Sequence, residues 1–117
     1  MDTKKRLNLI IKSDSNQHKI GTLKIAPKHK DSNHLQRRQQ QRGINTTMMQ
    51  IALLYGQKHF HKGAQIFTLN DRCLQKTPYA PFVDTLRGLR VVSLNGLPNP
   101  QILTAYWHKE TKSRLRK

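Results

Sequence analysis

The sequence predicts an α+β domain in which two helices pack on one face of an antiparallel sheet. Strand-like runs occur near both ends of the chain, two helical patterns lie between them, and the two kinds of element are grouped rather than strictly alternating. Such grouping favours an antiparallel sheet with the helices segregated to one side. With 117 residues, of which 35% are hydrophobic, the chain can bury one core.

The N-terminal residues 1 to 29 are expected to form a β-hairpin extension. The runs LNLIIK (7 to 12) and KIGTLKIA (19 to 26) are rich in strand-forming residues and flank the polar cluster SDSNQ. A polar cluster between two such runs is typical of a hairpin turn. Pro27 ends the second run.

Two helices are predicted next. The first covers about residues 33 to 42, between a capping Ser or Asn and Gly43, where a left-handed residue commonly ends a helix. The second begins at Asn45 or Thr46 and ends at Gly56, and its apolar residues recur at helical spacing. This second helix supplies core residues.

The remaining chain predicts strands and a tail. AQIFTLN (64 to 70) has the character of a strand, and the runs at 89 to 94 and 101 to 108 are separated by Asn, Gly and Pro, which predicts a hairpin. Residues 109 to 117 form a basic tail. No internal repeat and no glycine-rich nucleotide-binding pattern is present in the sequence.

The charge balance indicates a polyanionic partner. The chain has 22 Lys and Arg against 6 Asp and Glu, a formal net charge of +16. Such an excess favours fast, salt-sensitive binding to nucleic acid. No apolar run approaches the roughly 18 residues of a membrane span, so we expect a cytoplasmic protein without a membrane partner. Cys73 is the single cysteine, which excludes an internal disulfide.

The scarcity of carboxylates makes several enzyme classes improbable. The six acidic residues are scattered, with no two at helical or alternate-strand spacing. Two-metal nucleases and glycosidases both need clustered carboxylates. Histidine, arginine, threonine and tyrosine instead suit phosphodiester chemistry by proton transfer and anion stabilisation, with no metal or other cofactor.

Three side chains of the first predicted helix, His34, Arg38 and Arg42, lie one helical turn apart along one face. Arginine can hold two phosphate oxygens at once, and histidine can give or take a proton near neutral pH. They are candidate catalytic residues; a merely solvated basic helix is the alternative. Arg37, Lys28 and Lys30 nearby are candidates for contacts with a nucleic-acid backbone.

The last strand offers a second set of candidates. Its alternation places Ile102, Thr104, Tyr106 and His108 on one face, and Leu103, Ala105 and Trp107 on the other. Thr104 and Tyr106 are candidate catalytic residues and His108 a candidate substrate contact, although Thr and Tyr are also ordinary strand formers. His59 and His61 lack an evident third metal ligand, and we interpret them as a basic strand edge.

These motifs, in this order, resemble a family. The motifs are Ser-x-His34, Arg38 and Arg42-Gly43-Ile44, followed by a helix ending in Gly56, a QIFTL strand and the LRVVSLNG to ILTAYW hairpin. This order resembles the bacterial domain-of-unknown-function family catalogued as forty-two fifty-eight. The resemblance covers roughly residues 30 to 108. That family is similar to the barnase, EndoU, colicin and RelE group of ribonuclease toxins, many of which cut RNA without metal. The resemblance implies their fold, in which two N-terminal-side helices pack on a curved antiparallel sheet.

The resemblance implies a toxin domain over residues 30 to 108 that cleaves RNA, either free or on the ribosome, through attack of the 2'-hydroxyl. His34, Arg38 and Arg42 would form its helix motif, and Thr104 with Tyr106 its strand motif. An acidic antitoxin would be its protein partner. A non-catalytic basic RNA-binding or ribosome-associated module is the alternative. A DNA-binding regulator ranks lower, because the second helix is apolar rather than base-reading.

Overall fold

The described part of the chain, residues 2–25 and 43–108 of a computed structural model, has an α+β fold, as the sequence predicts. Its α-helices are α1 (Thr3–Ser13), α2 (Thr46–Tyr55), α3 (Asp71–Leu74) and α4 (Val83–Leu86), with 3-10 helices at Gln17–Ile20 and Ala80–Phe82. Its strands are β1 (Lys24–Ile25), β2 (Gln57–His61), β3 (Ala64–Thr68), β4 (Leu89–Ser93) and β5 (Gln101–Trp107).

The five strands form one sheet in the order β1-β5-β4-β3-β2. The pairs from β2 to β5 are antiparallel, as expected, whereas β1 pairs with β5 in parallel. The sheet is therefore mixed rather than wholly antiparallel. A parallel pair needs a long crossover connection, and the chain between the two strands includes α2 and the other three strands.

The predicted N-terminal β-hairpin is wrong in its first strand, because residues 7 to 12 lie within the helix α1. The side chain of Asp2 caps this helix by accepting a hydrogen bond from the Lys5 amide at 2.8 Å. Leu7 and Ile11, one turn apart, are buried in the same apolar cluster as α2. Of the second predicted strand, residues 19 to 25 are described, and of these only Lys24–Ile25 is a strand.

Helix α2 confirms the second predicted helix. The side chain of Asn45 accepts a hydrogen bond from the Met48 amide at 2.9 Å, and Gly56 follows its last residue. The helix packs on β3 and β4 and buries Ile51 and Ala52 completely. Its contact fixes which side of the sheet belongs to the core.

The two faces of the sheet differ in chemistry. Phe67, Leu89, Val91 and Ala105 join the α2 residues in the core cluster. Because side chains alternate along each strand, the residues between them point away from α2. We call this second side the distal face; it carries Gln57, His59, His61, Ile66, Thr68, Arg90, Val92, Thr104 and Tyr106.

The first predicted helix, residues 33 to 42, lies outside the described residues, as does the basic tail. Gly43 is described and has a φ of +79°, the left-handed conformation expected of it. None of the helices within residues 2–25 and 43–108 is long and apolar enough to cross a membrane.

Candidate functional site

A row of polar side chains crosses three strands of the distal face. The register places Thr68 of β3 opposite Arg90 of β4, and Arg90 opposite Tyr106 of β5. Arg90 Nε donates a hydrogen bond to Thr68 Oγ1 at 3.0 Å, and Arg90 Nη1 donates to the Tyr106 hydroxyl at 3.4 Å. The guanidinium is therefore held across the strands by both neighbours.

The core side of β4 fixes the position of this row. Leu89 and Val91, the neighbours of Arg90 in the chain, are both fully buried on the α2 side. Alternation then directs Arg90 to the distal face. Thr68 is buried, while Arg90 and Tyr106 are half-buried, so the row is partly shielded from water but remains accessible.

A β-bulge in β5 separates Thr104 from Ile102. Thr104 pairs with Val92, but the next pair joins Ser93 with Ile102, so Leu103 is an extra residue. The expectation that Ile102 shares a face with Thr104 is therefore wrong: Ile102 is 1% exposed and belongs to the core cluster with Ala105. Thr104 and Tyr106 do share the distal face.

His108 extends the same side of β5 by one further position. Its backbone N–H donates to the Gly88 carbonyl at 2.7 Å, which continues the ladder beyond the Leu89–Trp107 pair. Alternation places its half-buried side chain on the side of Tyr106. The structure thus brings together Thr104, Tyr106 and His108, three of the residues selected from the sequence.

The other selected residues, His34, Arg37, Arg38, Arg42, Lys28 and Lys30, lie outside the described residues. Arg90, in contrast, is well placed but was not selected from the sequence. A signal for it exists in LRVVS, where an arginine stands between two apolar residues of a strand. Alternation alone does not say which neighbouring side chains such an arginine contacts.

The described carboxylates are engaged away from the distal face. Asp2 caps α1, and Asp14 accepts hydrogen bonds from Tyr55 and Tyr79. Asp71 and Asp84 both pair with Arg87. No Asp or Glu of residues 2–25 and 43–108 therefore lies on the distal face to neutralise Arg90.

Two histidines lie on the distal face of the edge strand β2. His59 and His61 are two positions apart, both exposed, and opposite Ile66 and Ala64 of β3. They occupy the basic strand edge to which the sequence assigned them. Across residues 2–25 and 43–108, no group of three or more His, Cys, Asp or Glu side chains is placed to hold a metal ion.

The arrangement has the groups needed to bind an anion. An arginine presents five N–H donors, and the two bonds to Thr68 and Tyr106 use two of them. Arginine remains charged at any physiological pH, and its planar fork matches two oxygens of a phosphate. Tyr106 accepts from Arg90, so its own O–H can donate in another direction.

Comparisons of the chain with protein-family models, curated proteins and solved structures find no match. The resemblance to ribonuclease toxins therefore stays a prediction that rests on the motifs of the sequence.

Proposed function

We propose that this protein is a cytoplasmic, metal-independent RNA endonuclease, the toxin of a toxin-antitoxin pair, which cleaves RNA through attack of the substrate's 2'-hydroxyl. The observation that carries the proposal is the Arg90 guanidinium, held between Thr68 and Tyr106 on the distal face. The described part of that face has no carboxylate that would repel a phosphate.

In this reaction the 2'-oxygen forms a bond to phosphorus, and the bond from phosphorus to the 5'-oxygen breaks. A general base takes the proton of the 2'-hydroxyl, and a general acid gives a proton to the leaving oxygen. The products are a 2',3'-cyclic phosphate and a 5'-hydroxyl. Extra negative charge develops on the phosphate oxygens and is stabilised by fixed cations and N–H donors.

We assign the anion-stabilising role to arginines. Arg90 would hold the scissile phosphate from the sheet, together with Arg38 and Arg42. Thr68 and Tyr106 restrain the guanidinium before substrate binds, so less conformational entropy is lost in the complex. Thr104, on the same face, would orient the phosphate.

Proton transfer is assigned to His34 and Tyr106. His34 would act as general base or acid, and the Tyr106 hydroxyl would donate to the leaving oxygen. His108, one position further along that side of β5, is a second acid or base. The phenol suits the donor role because its oxygen already accepts a bond from Arg90.

The partner of such an enzyme would be an acidic antitoxin. The chain carries a formal net charge of +16, and the four described carboxylates are already used within the fold. A negatively charged protein would bind this surface quickly and compete with RNA for it.

The test compares end-labelled RNA with matched DNA in the presence of EDTA, followed by analysis of the product ends. The variants are Arg90→Ala, Tyr106→Phe and His34→Ala. Arg72→Ala is the matched control, since Arg72 is an exposed arginine on α3. Arg90→Ala is expected to reduce the cleavage rate by about 10²–10³-fold, as loss of an anion-stabilising donor does, while Arg72→Ala leaves it unchanged.

Cyclic-phosphate products from RNA alone, lost in the three variants, would support the proposal. Cleavage of DNA, or inhibition by EDTA, would contradict it. Tight, salt-sensitive RNA binding without cleavage, on free RNA and on ribosomes alike, would identify the non-catalytic RNA-binding module instead.

A further inference from the structure

The edge strand β2 is an exposed and strongly basic surface. All five of its residues, Gln57 to His61, are exposed, and within the described chain it pairs only with β3. In an antiparallel ladder every second residue of an edge strand points its N–H and C=O outward. These outward groups form a template for one more strand.

The side chains of this edge have one sign of charge. Lys58, His59 and His61 lie in the strand, Lys62 follows in the turn, and no acidic residue occurs from 57 to 63. Natural proteins place lysines on edges to prevent pairing with other copies. The same lysines attract an acidic chain.

Lysines alone would be enough to prevent this edge from pairing with other copies, but the edge also exposes an aromatic residue, Phe60. Its side chain is 71% exposed, the highest exposure among the large hydrophobic residues that the structure describes. The Lys58 ammonium lies 5.8 Å from the centre of the Phe60 ring and so borders an apolar surface with a cation. An exposed aromatic side chain on an open edge favours aggregation unless a partner covers it.

We infer that the β2 edge binds an acidic, extended segment of another protein, which adds to the sheet as a sixth strand. The outward backbone groups would supply the affinity common to strand addition, and the alternating side chains the specificity. Acidic residues of the partner would face Lys58, His59 and His61. An apolar residue would cover Phe60.

Two other occupants fit the edge less well. A second copy of this chain would bring Lys58 and Lys62 opposite like charges, which is destabilising in a strand pair. RNA would gain from the charge, but it has no backbone that matches the spacing of outward N–H and C=O groups. A peptide uses the charge, the backbone groups and Phe60 together.

Binding at this edge has a consequence for the proposed function, and this consequence rests on that function. His59 and His61 belong to the distal face, two strands from Arg90. Adjacent strands are about 4.8 Å apart, so the acidic strand would lie roughly 15 Å from the Arg90 strand. Because salt screens exposed charges beyond about 8 Å at physiological ionic strength, these carboxylates would repel RNA mainly where it extends from Arg90 toward His59 and His61.

The experiment measures binding of a blocked, fluorescein-labelled peptide with the repeat Glu-Val-Glu-Glu to the full chain by anisotropy. This repeat can place glutamates opposite His59 and His61 on one face of β2, and a glutamate and a valine opposite Lys58 and Phe60 on the other. A second peptide has the same sequence with alternate backbone amides N-methylated, which keeps its charge but removes donors. The variants are Lys58→Glu and Phe60→Ala. Their matched controls are Lys12→Glu and Leu9→Ala, which change an exposed lysine and an exposed leucine of α1.

Lys58→Glu and Phe60→Ala should each weaken peptide binding by about tenfold or more, since one reverses a charge pair and the other removes an apolar contact. The two controls should bind almost as well as the unchanged protein, and the N-methylated peptide should not bind. Amide chemical-shift changes confined to β2 and β3 would support strand addition.

Three results would overturn the inference: no binding up to about 1 mM peptide, equal binding of the N-methylated peptide, or equal binding by Lys58→Glu and Lys12→Glu. A parallel titration with single-stranded RNA adds one more, because an RNA affinity that falls with Lys58→Glu as much as the peptide affinity would assign the edge to RNA. The peptide titration needs no cleavage, so failure of the ribonuclease proposal would leave its result intact.

Discussion

Asp14 is the acceptor at the centre of a partly buried hydrogen-bond network that joins three parts of the fold. Its Oδ2 accepts from the hydroxyls of Tyr55 at 2.7 Å and Tyr79 at 2.8 Å, and its Oδ1 accepts from the Asn16 amide at 2.9 Å. Tyr79 is fully buried, and burial together with the Asp14 charge raises its pKa far above the ordinary value. The phenol therefore stays a donor.

Replacement of Asp14 by Asn should produce a pH-dependent loss of stability. Burial opposes ionisation of Asp14, but the bonds from Asn16, Tyr55 and Tyr79 outweigh it and hold its pKa below the ordinary 3.8. A lowered pKa stabilises the fold above the unfolded-state value, and this stabilisation is lost as pH falls through the folded-state value. Asp14→Asn should thus lower the free energy of unfolding by roughly 1–2 kcal/mol at neutral pH.

Urea unfolding at neutral pH and at about pH 2 checks this, because the difference from the unchanged protein should shrink when Asp14 itself is protonated. Asp84→Asn is the control, since Asp84 is 90% exposed and pairs only at the surface with Arg87. A pH-independent difference for Asp14→Asn would assign the loss to packing rather than to charge.

At the scale of elements, α1 shows where local pattern and packing disagree. LNLIIK contains residues with high strand propensity, yet Leu7 and Ile11 are also spaced one helical turn apart. Burial of Leu7 and Ile11 against α2 favours a helix over a strand here. The local sequence does not show that α2 packs against this segment. For a related reason the sequence indicates only an edge at His59 and His61 and not the full strand β2, since its exposed, polar residues are ordered by pairing with β3.

Leu7→Ala tests the contribution of α1 to the core. Leu7 is fully buried, so its truncation should lower the free energy of unfolding by roughly 2–4 kcal/mol. Leu9 lies two residues away and is 55% exposed, so Leu9→Ala should have little effect. Denaturant unfolding of both variants measures the difference; equal losses would mean that α1 does not depend on its buried side.

The turn between β2 and β3 depends on backbone conformation rather than on contacts. Lys62 and Gly63 have φ values of 49° and 81°, and a Cβ at Gly63 would meet no atom within 4 Å. Gly63→Ala should therefore destabilise by backbone strain alone, about 1 kcal/mol. Gly63→Asn should cost less, because Asn tolerates the left-handed region. Thermal unfolding of the two variants gives the comparison, and a larger loss for Asn would contradict this account.

At the scale of the whole molecule, the sequence predicts the helices and strands that are marked by nearby residues. The second helix, the β3 strand and the C-terminal hairpin lie close to their predicted bounds, because Asn45, alternation and turn residues mark them. Long-range features were not predictable: the parallel β1 pair, the bulge at Leu103, and the contact of Arg90 with Tyr106. Each depends on which strand becomes a neighbour.

The salt dependence of RNA binding tests whether Arg90 contacts a phosphate. Each phosphate of single-stranded nucleic acid that a protein cation neutralises contributes about −0.7 to the slope of log affinity against log salt concentration. If Arg90 contacts one phosphate, Arg90→Ala should make the slope shallower by about that amount as well as weaken binding. Arg72→Ala removes the same charge from an exposed part of α3 and should leave the slope almost unchanged. Titrations of a 2'-O-methyl RNA, which cannot be cleaved, measure the slopes independently of catalysis. Equal slopes for the two variants would mean that the overall charge of +16 attracts RNA without a defined phosphate site at Arg90.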